Sequence, residues 1–84
     1  MRIIYKVKVM NLVFLPPSAE ILDIGVQDGE IVLWYSFDPE EEHSEHHYFS
    51  VVGTGWDVPS DSGKFWTHMK TVQNGAYVWH IYKK

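Results

Sequence analysis

Apolar residues alternate with polar ones at a period close to two along most of this chain, the pattern of strands with one face in a core. Ile3, Tyr5, Val7 and Val9 alternate with Lys6 and Lys8, which predicts a half-exposed strand over 2–10. Leu12 to Leu15 is a short extended stretch, halted by Pro16-Pro17, where two missing N–H donors prevent ladder pairing. A strand over 20–27 follows, with Leu22, Ile24 and Val26 on one face and Asp23 and Gln27 on the other. Asp28-Gly29 is the strongest local signal. A two-residue loop of this type tolerates the positive φ angles of a type I′ turn, whose twist suits a hairpin. It joins 20–27 to a strand over 30–37. That strand, Ile31 to Phe37, is apolar on both faces, which makes it central, covered on both sides, or part of an interface.

Asp38-Pro39 and the run Glu40 to Glu45 form a polar loop ahead of a strand over 46–53. There Phe49 and Val51 share one face, Tyr48 and Val52 the other. Gly53-Thr54-Gly55, Pro59 and the Ser60-Asp61-Ser62-Gly63 cluster mark a second irregular loop. Two last strands, over 65–72 and 76–82, flank Asn74-Gly75, another hairpin signal. The spacing of Phe65, Trp66 and Met69 fits a helical turn over 64–70 as well as it fits a strand. Six short strands with turns between them predict one all-β domain over 1–84, a small antiparallel β-sandwich or barrel.

Composition sharpens this picture. Eighty-four residues make one domain with a small core, and no cysteine is present to staple it. The same absence removes zinc–thiolate sites and thiol nucleophiles, and it suits a reducing cytoplasm. Four Trp, five Tyr and four Phe are a high aromatic load, implying an aromatic core and an aromatic interface. A homodimer that buries a second apolar face would relieve the small-core problem. The net charge of −4 is not the basic footprint of a nucleic-acid binder. The longest uncharged apolar stretch, Met10 to Pro17, is too short to span a membrane, and Lys6 and Lys8 interrupt any signal-peptide pattern. A soluble intracellular protein is the resulting expectation.

Several segments together resemble a known set of sequences: Leu15-Pro16 through Ala19-Glu20-Ile21-Leu22, Val26-Gln27-Asp28-Gly29 with Leu33-Trp34, Val52-Gly53-Thr54-Gly55, Thr71-Val72-Gln73, and Val78-Trp79-His80. In that order they are similar to a family of small uncharacterised bacteriophage proteins, over about residues 3 to 82. The segment 56–70 departs most from the pattern, so the resemblance does not account for Trp56, Phe65 or Trp66. It implies a phage-encoded protein in the host cytoplasm. It implies no activity, no cofactor and no catalytic residue, and it favours an accessory protein that inhibits or redirects a host protein or defence system.

The candidate chemistry is sparse. His43, His46 and His47 with Glu42 and Glu45 could ligate a divalent metal, but on a strand His46 and His47 point to opposite faces. The plainer reading is a solvated loop entering a strand, with no metal. Gly53-Thr54-Gly55 could present backbone N–H groups to a phosphate, although the full phosphate-loop spacing is missing and glycine here also suits a turn. No serine sits in a nucleophile elbow, and the acids cluster on one loop, so a non-enzymatic protein is expected. On the last strand Tyr77, Trp79 and Ile81 share one face, and Val78, His80 and Tyr82 the other. Either Trp79 anchors the core and Tyr82 meets a partner, or the reverse. Trp34, Trp79, His80 and Tyr82 are the candidate partner-binding residues, through a sheet face or an exposed strand edge. Gly53, Thr54 and Gly55 are candidates for a nucleotide-like small molecule. The leading expectation is binding of a host protein; a small-molecule binder and a minor structural phage protein are the alternatives.

Overall fold

A computed structural model describes residues 1–60 and 65–84, which form seven strands. They are β1 Ile3–Lys8, β2 Leu12–Leu15, β3 Glu20–Gln27, β4 Glu30–Phe37, β5 Glu45–Gly53, β6 Thr67–Asn74 and β7 Tyr77–Lys83. All pairings are antiparallel, in a three-stranded sheet β1-β4-β3 and a four-stranded sheet β2-β5-β7-β6. The architecture is therefore the small all-β sandwich that the alternation predicts. The seventh strand is the short stretch Leu12–Leu15, which pairs with Glu45–Tyr48 of β5 rather than merely running extended.

The chain changes sheets between β1 and β2, between β2 and β3, and between β4 and β5, and the first of these corners is the shortest. Val9 N still donates to Ile31 O of the first sheet (2.9 Å), and Asn11 O already accepts from Phe49 N of the second (3.0 Å). The double-sided apolar strand β4 is central in its sheet, between β1 and β3. Its inward residues Leu33, Tyr35 and Phe37 face Leu15 of β2, Phe49 of β5, Val72 of β6 and Ile81 of β7 in a single core. Leu33 and Ile81 are wholly excluded from solvent.

Turn chemistry sets both hairpins. Asp28 and Gly29 have φ of 52° and 77°, the type I′ geometry expected between β3 and β4. The second hairpin differs by one residue from the reading centred on Asn74-Gly75. Asn74 is the last residue of β6 and pairs with Tyr77, so the loop is Gly75-Ala76. Only Gly75 has positive φ (61°), which is a type II′ turn with glycine at its first central position. Asn74 instead sends its side-chain Nδ2 to Gly29 O (2.8 Å), tying the two hairpin tips together.

Two bulges revise the predicted faces. The register of β3 shifts between Ile21 and Asp23, so Leu22 is the unpaired residue and is exposed, whereas Ile21 and Ile24 turn inward. Leu22 therefore leaves the face it was expected to share with Ile24 and Val26. A second shift, between His68 and Lys70, falls in β6, so 67–70 is bulged strand and not helix; residues 61–64, including most of the Ser60–Gly63 cluster, lie outside the described residues. Past the bulges, Lys70 Nζ reaches Asp23 Oδ1 at 2.9 Å across the open side of the sandwich. That contact, with a hydrogen bond from Ile24 N, holds the Asp23 carboxyl below its usual range.

His47 sits on the inward side of β5, beside Phe49 in alternation and opposite the buried Val13. Among the described residues neither ring nitrogen has a hydrogen-bond partner; Nε2 is 3.8 Å from Glu45 Oε2, too long for one. Burial is the main cause that lowers its pKa below the ordinary 6.5, with Lys83 adding repulsion and Glu45 opposing more weakly. The unfolded chain thus takes up this proton more readily than the folded one, so stability is complete above about pH 6.5 and falls as the pH drops below it. Urea midpoints at pH 7.5 and 5.5 are expected to show that loss, and His47→Leu is expected to reduce it; an unchanged slope in the variant would assign the loss elsewhere. Ile81→Ala, which opens a cavity at the centre of the core, is expected to cost about 2–5 kcal/mol by urea denaturation.

Candidate functional site

The two outer faces of the sandwich differ sharply in charge. Register and burial place Lys6 and Lys8 of β1, Trp34 of β4, and Asp23, Gln27 and Glu30 of the β3–β4 hairpin on the outside of the three-stranded sheet. Lys6 bonds Gln27, and Lys8 pairs with Glu30 at 3.3 Å. Trp34 lies flat beside Gly25, where an added Cβ would come within 3.2 Å of the indole, so the glycine makes room for the ring. This is a solvated face with one covered tryptophan.

Among the described residues, the strands of the four-stranded sheet place no Asp, Glu, Lys or Arg on its outer face. It presents Leu12 and Phe14 from β2, then His46, Tyr48, Ser50 and Val52 from β5. Val78, His80 and Tyr82 follow from β7, with His68, Thr71 and Gln73 from β6 at the far edge. Phe14 meets His46 edge-on at 4.9 Å, and His68 meets Tyr82 edge-on at 5.3 Å. Between them runs a hydrogen-bonded line across three segments. Thr54 Oγ1 and His80 Nε2 are 2.8 Å apart, His80 Nδ1 and Thr71 Oγ1 2.9 Å, and Thr71 Oγ1 and His68 Nε2 2.8 Å. A neutral His80 donates from one nitrogen and accepts at the other, which the two threonine hydroxyls complete. Just beyond β7, the Lys84 ammonium stands over the Tyr48 ring at 5.7 Å, at the rim of this face.

One end of the same sheet opens into a cleft of about 390 Å³. Its walls are Trp56, Tyr77 and Trp79, its floor Gly53 and Thr54. Trp56 N donates to Gly53 O (3.1 Å) in a turn that also needs Gly55 at φ 90°. The turn folds the Trp56 ring back onto Gly53 so closely that an added Cβ would lie 3.0–3.3 Å from the indole. Trp56 stands edge-on to Trp79 at 5.6 Å, and Tyr77 stacks on Trp79 at 5.8 Å. The glycines thus serve the close approach of a ring. Trp79 is half-buried against the core while Trp56 and Tyr77 remain 61% and 66% exposed.

The four candidate partner residues therefore lie on three surfaces. His80 and Tyr82 share the uncharged face, Trp79 walls the cleft, and Trp34 is on the opposite sheet. Of the alternatives posed for β7, Trp79 on the core side and Tyr82 on the outer side is the arrangement found. The candidate ligand residues Gly53 and Thr54 do come together with Trp79, and Gly55 supplies the turn. The histidine run disperses: His46 is on the outer face, His47 on the inner, and among the described residues no three metal-ligating side chains converge. Glu41 in that acidic loop accepts from Ser18 N at 2.9 Å, closing the turn after Pro17. Sequence reasoning passed over Trp56 and Phe14. Trp56 was legible only through the Gly-Thr-Gly-Trp spacing, and Phe14 through its pairing opposite His46.

No curated protein and no solved structure matches the chain. A family model described as a domain of unknown function, DUF7352, matches residues 1–84, so this all-β chain belongs, over its whole length, to that family.

Proposed function

We propose that the protein is a non-catalytic interaction module that docks on another protein through the outer face of its four-stranded sheet. The absence of charge from that face carries the reading. A sheet face left in water ordinarily alternates with polar and charged residues, as the three-stranded sheet of this same molecule does. The cores of protein interfaces are instead depleted in charge and enriched in aromatic rings. Phe14 is 55% exposed and Tyr48 46% exposed, and the two flank the His46 ring at 4.9 and 6.5 Å, a cluster of open rings of the kind that anchors an interface. The histidine–threonine line supplies polar specificity without net charge.

The resemblance to small bacteriophage proteins supports a host protein, met in the host cytoplasm, as that partner. A second copy of the chain is the competing occupant, since the same face could be self-complementary about a two-fold axis. The measurement is capture from host lysate beside light scattering on the pure protein. Phe14→Glu and Tyr82→Ala are expected to weaken capture by about thirtyfold or more, the size of a lost anchor of roughly 2 kcal/mol. Ile4→Glu on the other sheet is expected to leave capture intact. Equal capture by all three would remove the face from consideration, and a dimer lost on Phe14→Glu would make the partner a second copy.

A further inference from the structure

The aromatic cleft is built more elaborately than the fold requires. Gly53 must lack a side chain for Trp56 to approach, Gly55 must take positive φ, and Thr54 is fastened to His80 from the other side of the sheet at 2.8 Å. The result is two large rings held in water around a third, a geometry that contributes little to the core. Burying them in the domain would be worth more than exposing them. Three rings converging on one space form a slot for a flat group, because π-faces pair with any planar ring.

The chemistry of the surroundings narrows the ligand. Among the described residues no charged side chain lines the cleft, so no cation there pairs with a phosphate. On the other side of Trp79 lies a second cavity of about 440 Å³, lined in part by Lys8, Glu30 and Asn74. Its cation and anion are already paired at 3.3 Å, so this pocket is polar but close to neutral. Asn74 donates to Gly29 O and keeps its amide oxygen for other use. The two cavities share Trp79 and offer a ring slot beside a hydroxyl- and amide-compatible pocket. A chain of net charge −4 also repels a polyanionic strand.

We infer that the Trp56–Tyr77–Trp79 cleft is a binding site for a neutral nucleobase-like heterocycle, a nucleoside rather than a nucleotide. This inference stands apart from protein docking, since Trp56 and Tyr77 lie off the outer face. Tryptophan fluorescence and amide chemical shifts would be followed on adding adenosine, guanosine, cytidine and uridine, each beside its 5′-monophosphate. Saturable binding of at least one nucleoside is expected, with shifts at Gly53, Thr54 and Tyr77, and with its monophosphate binding no more tightly. Trp56→Ala and Tyr77→Ala, both exposed and compatible with the fold, are expected to weaken it about five- to a hundredfold, the size of a lost base stack. Gly53→Ala is expected to do the same by displacing Trp56, and Asn74→Ala to weaken the nucleoside while sparing the free base. Absence of saturable shifts for all four nucleosides at millimolar concentration overturns the proposal. So does tighter binding of the monophosphates, or affinity unaffected in both ring variants.

Discussion

A single layer of inward side chains, Leu15, Leu33, Phe49 and Ile81 at its centre, holds two sheets together without a disulfide. Every other feature follows from keeping that layer intact. It dictates which parity of each strand turns inward, and so which residues are left outside. Because the chain crosses from one sheet to the other only two residues after β1, the inner faces stay in register around the corner, from Val9 to Val13. Among the described residues no ladder crosses the remaining side of the sandwich; the Asp23–Lys70 pair and the Asn74–Gly29 bond span it instead.

The alternation of apolar and polar residues was enough to place six of the seven strands, because a two-residue period survives wherever one face is buried, whereas Leu12–Leu15 is too short to show it. It failed where the period itself breaks. Leu22 reads as a core residue on strict alternation, and only the extra residue of a bulge turns it outward. The hairpin at Gly75 was legible, but Asn74-Gly75 and Gly75-Ala76 are equally good two-residue loops on composition. Pairing Val72 with Trp79 on the inner side settles between them.

The surfaces were less legible than the strands for a different reason. A sequence shows which residues share a face of one strand but not which strands lie side by side. Trp34 and Tyr82 looked equivalent along the chain, yet sheet order puts one among lysines and acids and the other among histidines and threonines. The uncharged face exists only as a sum over four strands drawn from separate parts of the sequence. Likewise Trp56 reaches Trp79 across a turn whose geometry rests on two glycines, and no local pattern near Trp79 announces it.

The two bulges have a consequence for how the molecule lives among its own copies. Both occur in strands at the rim of their sheets, β3 and β6, where a straight backbone would leave a row of unpaired donors and acceptors. The irregular rim cannot be matched residue for residue by an incoming strand, and a charged pair stands beside it. At these two edges a chain made largely of strands and rich in aromatic residues offers a poor template for strand addition.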